Sequence, residues 1–148
     1  MPDLTESISV AATPESLYSL VSDLPRMREW SPECTRVTWT VDGERFIGHN
    51  RLGVVRWFTF GRVVAAEPGR RFAFSIHFGP IPISLWDYSF TPADGGCEVT
   101  ESWTDHRPSL LRALFRPFFG NRTPRNADGI HVTLTRLKST AEAGLPQE

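Results

Sequence analysis

No apolar run in the 148-residue sequence approaches the roughly 20 residues that a membrane-spanning helix needs. No basic-then-apolar segment opens it, so no secretory signal is expected. Only two cysteines are present, Cys34 and Cys97, too far apart for metal-ligand spacing. They read as reduced thiols of a cytoplasmic protein. The four histidines show no His-x-x-x-His or His-x-Glu spacing, so no metal and no other cofactor is expected. A Gly-x-Ser-x-Gly elbow and a glycine-rich phosphate loop are both missing, which argues against nucleophilic serine chemistry and nucleotide binding. The net charge of -1 leaves no basic surplus for general nucleic-acid binding. Internal repeats and low-complexity segments are absent as well.

What is there reads as one globular domain over residues 1–143, with 144–148 as a loose tail. The organising stretch is a long helix from Thr123 to Ala143. Thr123 suits the N-cap and Pro124 the first helical position. Ala127, Ile130, Leu134, Leu137 and Ala141 recur every three or four residues and form one apolar stripe. Gly144 and Pro146 close the pattern.

Before that helix the chain alternates. Leu4 to Val10 is a first strand, and Thr13-Pro14-Glu15 opens a short helix that Asp23 and Pro25 break. A second short helix leads to Trp30. A meander of strands follows. Asp42-Gly43 closes a hairpin that pairs Val41 with Glu44, Trp39 with Phe46 and Val37 with Gly48. A turn at Gly53-Val54 sets Asn50 opposite Trp57, and Phe72, Phe74, Ile76 and Phe78 follow at period two. The Asp94-Gly95 turn pairs Ala93 with Gly96, and counting back pairs Phe90 with Val99, Tyr88 with Glu101, Trp86 with Trp103 and Ser84 with Asp105. A slip of one residue would turn every aromatic ring outward, so this register is well determined. After Arg107 a very apolar segment predicts a short helix that stops at Pro117.

This order of strand, two short helices, six-strand meander and long helix resembles the START-like (SRPBCC) superfamily, in its polyketide cyclase/dehydrase-like branch. The resemblance is carried by Ile8 and Val10 before Thr13-Pro14-Glu15, by Trp30-Ser31-Pro32-Glu33, by Phe46-Ile-Gly48-His-Asn50-Arg51, by Trp57 and Val63 before Glu67-Pro68-Gly69, by Trp86, Tyr88 and Phe90 before Gly96, Val99, Glu101 and Trp103, and by Gly129 with Thr133-Leu134. It implies a helix-grip α+β fold, with a curved antiparallel sheet of about seven strands around the C-terminal helix. It implies an apolar cavity between the two, and binding of a lipid, sterol or polyketide-like molecule.

On that reading Trp39, Phe46, Trp57, Phe74, Trp86 and Trp103 line the cavity, with Asn50, Ile130 and Leu134. The spacing by itself favours a filled core; the cavity is what the resemblance implies. Glu101 and Tyr88 stand side by side on the inner face. A carboxyl among aromatics resists ionisation, which suits a general acid or base near neutral pH; the alternative is a hydrogen-bonded pair that only orders the core. Asp105 lies four residues on, about 13 Å at strand rise, and is placed at the cavity rim. Leu111, Phe115, Phe118 and Phe119 form a lid over the mouth. The stretch from Arg107 to Arg125 mixes these apolar residues with five arginines and no acid, which also suits transient contact with an anionic membrane. The functional expectation is a binder of a small hydrophobic ligand. The alternatives are a polyketide cyclase/dehydratase using Glu101 and Tyr88, and an interaction module without a ligand.

Overall fold

Seven strands form one antiparallel sheet of order β1-β7-β6-β5-β4-β3-β2 in a computed structural model that describes residues 2–119 and 122–143. The strands are β1 (Leu4–Val10), β2 (Cys34–Val41), β3 (Arg45–Leu52), β4 (Val55–Glu67), β5 (Arg71–Phe78), β6 (Ile81–Ala93) and β7 (Gly96–Asp105). The helices are α1 (Pro14–Ser22), α2 (Ser109–Phe119) and α3 (Arg122–Ala143), with a short 3-10 helix over Leu24–Glu29. The sheet curves around α3, which is the helix-grip arrangement. The tail 144–148, with the stop signals at Gly144 and Pro146, lies outside the described residues.

Tight turns at glycine fix the register. Gly95 takes a φ of 78°, which costs a residue without Cβ little, and β6 and β7 pair from Ala93 with Gly96 to Ser84 with Asp105 as the alternation predicts. The Asp42-Gly43 hairpin differs in one pair. Val41 faces Arg45 rather than Glu44, with a register shift after Trp39, and the Glu44 N–H donates to the Val41 carbonyl at 2.9 Å. A three-residue turn needs such an extra residue on one strand; the pairs Trp39–Phe46 and Val37–Gly48 are kept.

Two helix boundaries also differ from expectation. Helix α2 continues through Pro117 to Phe119, because a proline two residues from the end of a helix removes only one backbone bond. Helix α3 begins at Arg122, so Thr123 lies in its first turn instead of capping it, and Pro124 is accommodated where N–H groups have no partner within the helix. By contrast, Thr13 caps α1 as expected: its hydroxyl accepts from the Ser16 N–H at 3.1 Å.

The core is not evenly filled. At the α1 end it is solid: Leu17, Val21 and Leu24 are buried, and the Tyr18 ring packs edge-on against Phe72 and Phe90. The apolar stripe of α3, from Ile130 through Leu134 and Leu137 to Ala141, is buried, and the helix packs chiefly on β1. Polar contacts secure this end. Lys138 Nζ donates to the Ser9 carbonyl and to Glu142 Oε2, both at 2.7 Å, and Glu142 Oε2 also accepts from the Ala11 N–H at 2.9 Å. The other end of the sheet, under the first half of α3, stays open.

Candidate ligand cavity

That open end is a cavity of about 600 Å³. Inward-pointing residues of adjacent strands make its floor: Phe46, Trp57, Phe74, Trp86 and Trp103, with Asn50 beside Trp57 in the β3–β4 register. Phe46 meets Phe74 edge-on with ring centroids 5.5 Å apart, and Trp86 lies 6.3 Å from Trp103. Helix α3 gives the roof through Arg122, Asn126, Gly129 and Thr133, spaced four, three and four residues apart on one face. Residues 31–33, Phe78, Ile81, Arg107 and Arg125, with Leu111 and Phe115 of α2, are also part of the wall. The side chains of Phe118 and Phe119 lie outside the described residues.

Three residues expected in the wall are placed elsewhere. Trp39 sits on the edge strand β2 and packs edge-on on the Phe46 ring at 6.0 Å, one layer behind the cavity. Ile130 and Leu134 belong to the solid stripe of α3, since neighbouring helix positions point 100° apart and only one narrow face overlooks the opening. Asp105, expected at the rim, is bound by the cavity-lining Arg107, whose Nε and Nη2 donate to its carboxylate at 3.0 and 2.9 Å. Burial opposes ionisation of Asp105, but these hydrogen bonds and the Arg107 charge outweigh it and hold the carboxyl below its ordinary value. The α3 polar face went unread in the sequence because Asn126, Thr133 and Arg122 fall off the apolar stripe and look like solvated positions.

At the inner end stand Tyr88 and Glu101. The Tyr88 hydroxyl donates to Glu101 Oε2 at 2.6 Å. Glu101 is only 2% exposed and its Oε1 has no protein partner among the described residues. Burial pushes the Glu101 carboxyl up to about 8; the Tyr88 bond lowers it, and the neighbouring Glu6, its cross-strand partner on β1, adds to the rise. Burial first, then the adjacent Glu101, hold the Tyr88 phenol well above its ordinary value, so it stays protonated. The pair therefore presents a neutral acid at neutral pH, with a phenol positioned to stabilise either protonation state. Cys34 also lines the cavity, but burial raises its thiol to about 11 and leaves it a poor nucleophile.

The model of the polyketide cyclase / dehydrase and lipid transport family matches residues 1–142. The chain belongs to that family. A polyketide cyclase-like protein of Corynebacterium glutamicum is 33% identical, with a TM-score of 0.58 over 95% of this chain and 91% of that one. The di-domain ARO/CYC protein StfQ of the steffimycin biosynthetic pathway superposes with a TM-score of 0.72 at 17% identity, over 96% of this chain and 51% of that one; at that identity the likeness concerns the fold. An uncharacterized protein of Mycobacterium tuberculosis is 28% identical over 123 residues, 75% of this chain and 71% of its own.

Proposed function

We propose that the protein binds a small hydrophobic molecule, with an aromatic or polycyclic body, between the sheet and α3. The observation that carries this reading is the unfilled aromatic cavity of about 600 Å³, a volume in the range of small-molecule sites. An interaction module would have no use for it. Gly129 supplies a direct test. A Cβ there meets nothing closer than Pro32 Cγ at 3.8 Å. Gly129→Ala is thus expected to raise stability by roughly 1 kcal/mol through helix propensity and to leave binding intact. Gly129→Phe is expected to occupy the cavity and abolish quenching of tryptophan fluorescence by polycyclic ligands. Quenching that survives in Gly129→Phe overturns the reading.

A second reading is favoured by the Tyr88–Glu101 pair: a cyclase/dehydratase in which Glu101 exchanges a proton with the ligand and Tyr88 steadies the enolate oxygen. Glu101→Gln is then expected to keep ligand binding and lose turnover of a poly-β-ketone by at least about a hundredfold. Retained turnover in that variant removes Glu101 from the chemistry.

Access of the ligand through the α2 side explains a feature that a buried lid does not. Leu110 and Leu114, one helical turn apart, are 82% and 64% exposed, and the segment from Arg107 to Arg125 carries no acid. Apolar side chains with a cationic surround fit an anionic bilayer surface. The double variant Leu110→Ser, Leu114→Ser is expected to weaken flotation with phosphatidylglycerol vesicles by about tenfold or more. Unchanged flotation excludes this face.

A further inference from the structure

The cavity wall holds three arginines, Arg107, Arg122 and Arg125, and their partners differ. Arg107 is engaged by Asp105 on both Nε and Nη2. Arg122 uses a single nitrogen, Nη2, for Glu33 Oε1 and Oε2 at 2.9 and 2.6 Å and for Asn126 Oδ1 at 2.9 Å. Its side chain is only 14% exposed, and Nη1 is buried without a partner among the described residues. Arg125 forms no ion pair among them. Asp105 also meets the exposed Arg112 at 3.9 Å, and Arg125 is exposed, so guanidinium groups outnumber carboxylates around this side of the cavity.

We infer that the ligand is an anionic amphiphile whose apolar body lies on the aromatic floor and whose terminal carboxylate is bound by Arg122. This rests on the proposed binding in the cavity and adds the chemistry of the ligand's polar end. An unsatisfied guanidinium N–H buried in a cavity wall is costly, and a carboxylate oxygen is the acceptor that relieves it most strongly. The excess of guanidinium groups favours an anion, and a carboxylate monoanion enters this partly apolar wall at a smaller desolvation cost than a phosphate dianion. Glu33 now occupies the place of a competing internal anion: it keeps Arg122 oriented while the ligand is away and shares it when the ligand is bound. The polar end is thereby set at the α3 side, away from Glu101, so a polyfunctional ligand is oriented with one end on Arg122 and its other end toward the Tyr88–Glu101 pair.

Pyrenebutyrate and its methyl ester test this, because they share a polycyclic body and differ in the charge at one end. Energy transfer from the cavity tryptophans to pyrene reads their binding. The wild-type protein is expected to bind the acid at least about tenfold more tightly than the ester at neutral pH. Arg122→Gln is expected to abolish that preference, weakening acid binding at least about tenfold more than ester binding. Glu33→Gln, which removes the internal competitor, is expected to tighten acid binding several-fold with no gain for the ester. A merely structural ion pair predicts instead that both variants weaken both probes alike, and that result overturns the inference, as does equal binding of acid and ester by the wild type. If neither probe binds the wild type, the failure is that of the cavity reading itself.

Discussion

Glu101→Gln is expected to remove most of the loss of stability that the wild-type protein shows as pH rises from about 5 to about 8. In the unfolded chain Glu101 ionises near its ordinary value of 4.5, whereas in the folded protein burial holds its proton to about 8. Between these values the folded state binds more protons than the unfolded state, so stability is complete below the lower value and falls as pH climbs through the upper one. Each unit of the rise corresponds to about 1.4 kcal/mol, which puts the full span on the order of 5 kcal/mol. Glutamine keeps an acceptor for the Tyr88 hydroxyl and cannot ionise. The variant's urea midpoint is therefore expected to stay level over this window while that of the wild type declines. Tyr88→Phe sharpens the test. Tyr88's hydrogen bond lowers the Glu101 value, so its removal moves the wild-type decline to higher pH. The carboxyls held low, Asp105 by Arg107, Glu29 by Arg26 and Glu142 by the Ala11 N–H and then Lys138, act in the opposite sense and only under acidic conditions, where their stabilisation is lost as pH falls. Parallel midpoints for wild type and Glu101→Gln would mean that Glu101 is already ionised at neutral pH, and its role as an acid would fall with that result.

The residues whose positions were legible from the sequence are those fixed by period and turn. The Asp94-Gly95 turn and strict alternation define every pair of the last hairpin, and so place Tyr88 beside Glu101. Direction was legible too: a carboxyl on an aromatic face resists ionisation. Depth was not. Alternation says which face a residue occupies, but Trp39 on the edge strand and Trp86 in the sheet interior share a face and only one overlooks the cavity. The same limit applies along α3. Hydrophobic periodicity finds the stripe that packs on β1, and it assigns Arg122, Asn126 and Thr133 to solvent. In the structure Asn126 and Thr133 are buried, because the curved sheet encloses the adjacent face of the helix as well. A polar helix face over an apolar floor has no pattern of its own in a single sequence. The clue available was local: Arg122, Asn126, Gly129 and Thr133 share a helical face that carries no large apolar side chain, which is what a face overlooking a void permits.

The floor of the cavity depends on one close approach, and Gly61→Ala is expected to disrupt it. Gly61 lies on β4 opposite Phe46 of β3 and Ile76 of β5. The Phe46 ring covers the glycine so closely that a Cβ there would penetrate its Cζ, Cε1 and Cε2 atoms. Phe46 cannot swing away freely, because it is buried with Trp39 and Phe74 packed edge-on on either side. The added methyl must therefore displace the ring into the cavity or push β4 from β3. Overpacking of this kind costs about 1–3 kcal/mol, against a helpful entropy change from replacing glycine of under about 1 kcal/mol. A net loss of stability follows, together with weaker ligand binding if the ring moves into the cavity. Phe46→Leu in the Gly61→Ala background restores room above the new methyl and is expected to recover part of the stability, whereas Phe46→Leu alone creates a void and destabilises. This reversal of sign, read from denaturation midpoints of the four proteins in a double-mutant cycle, separates a ring-on-glycine contact from two independent defects. Additive losses would show that the sheet yields at Gly61 without moving Phe46, and the aromatic floor would then be more deformable than its packing implies.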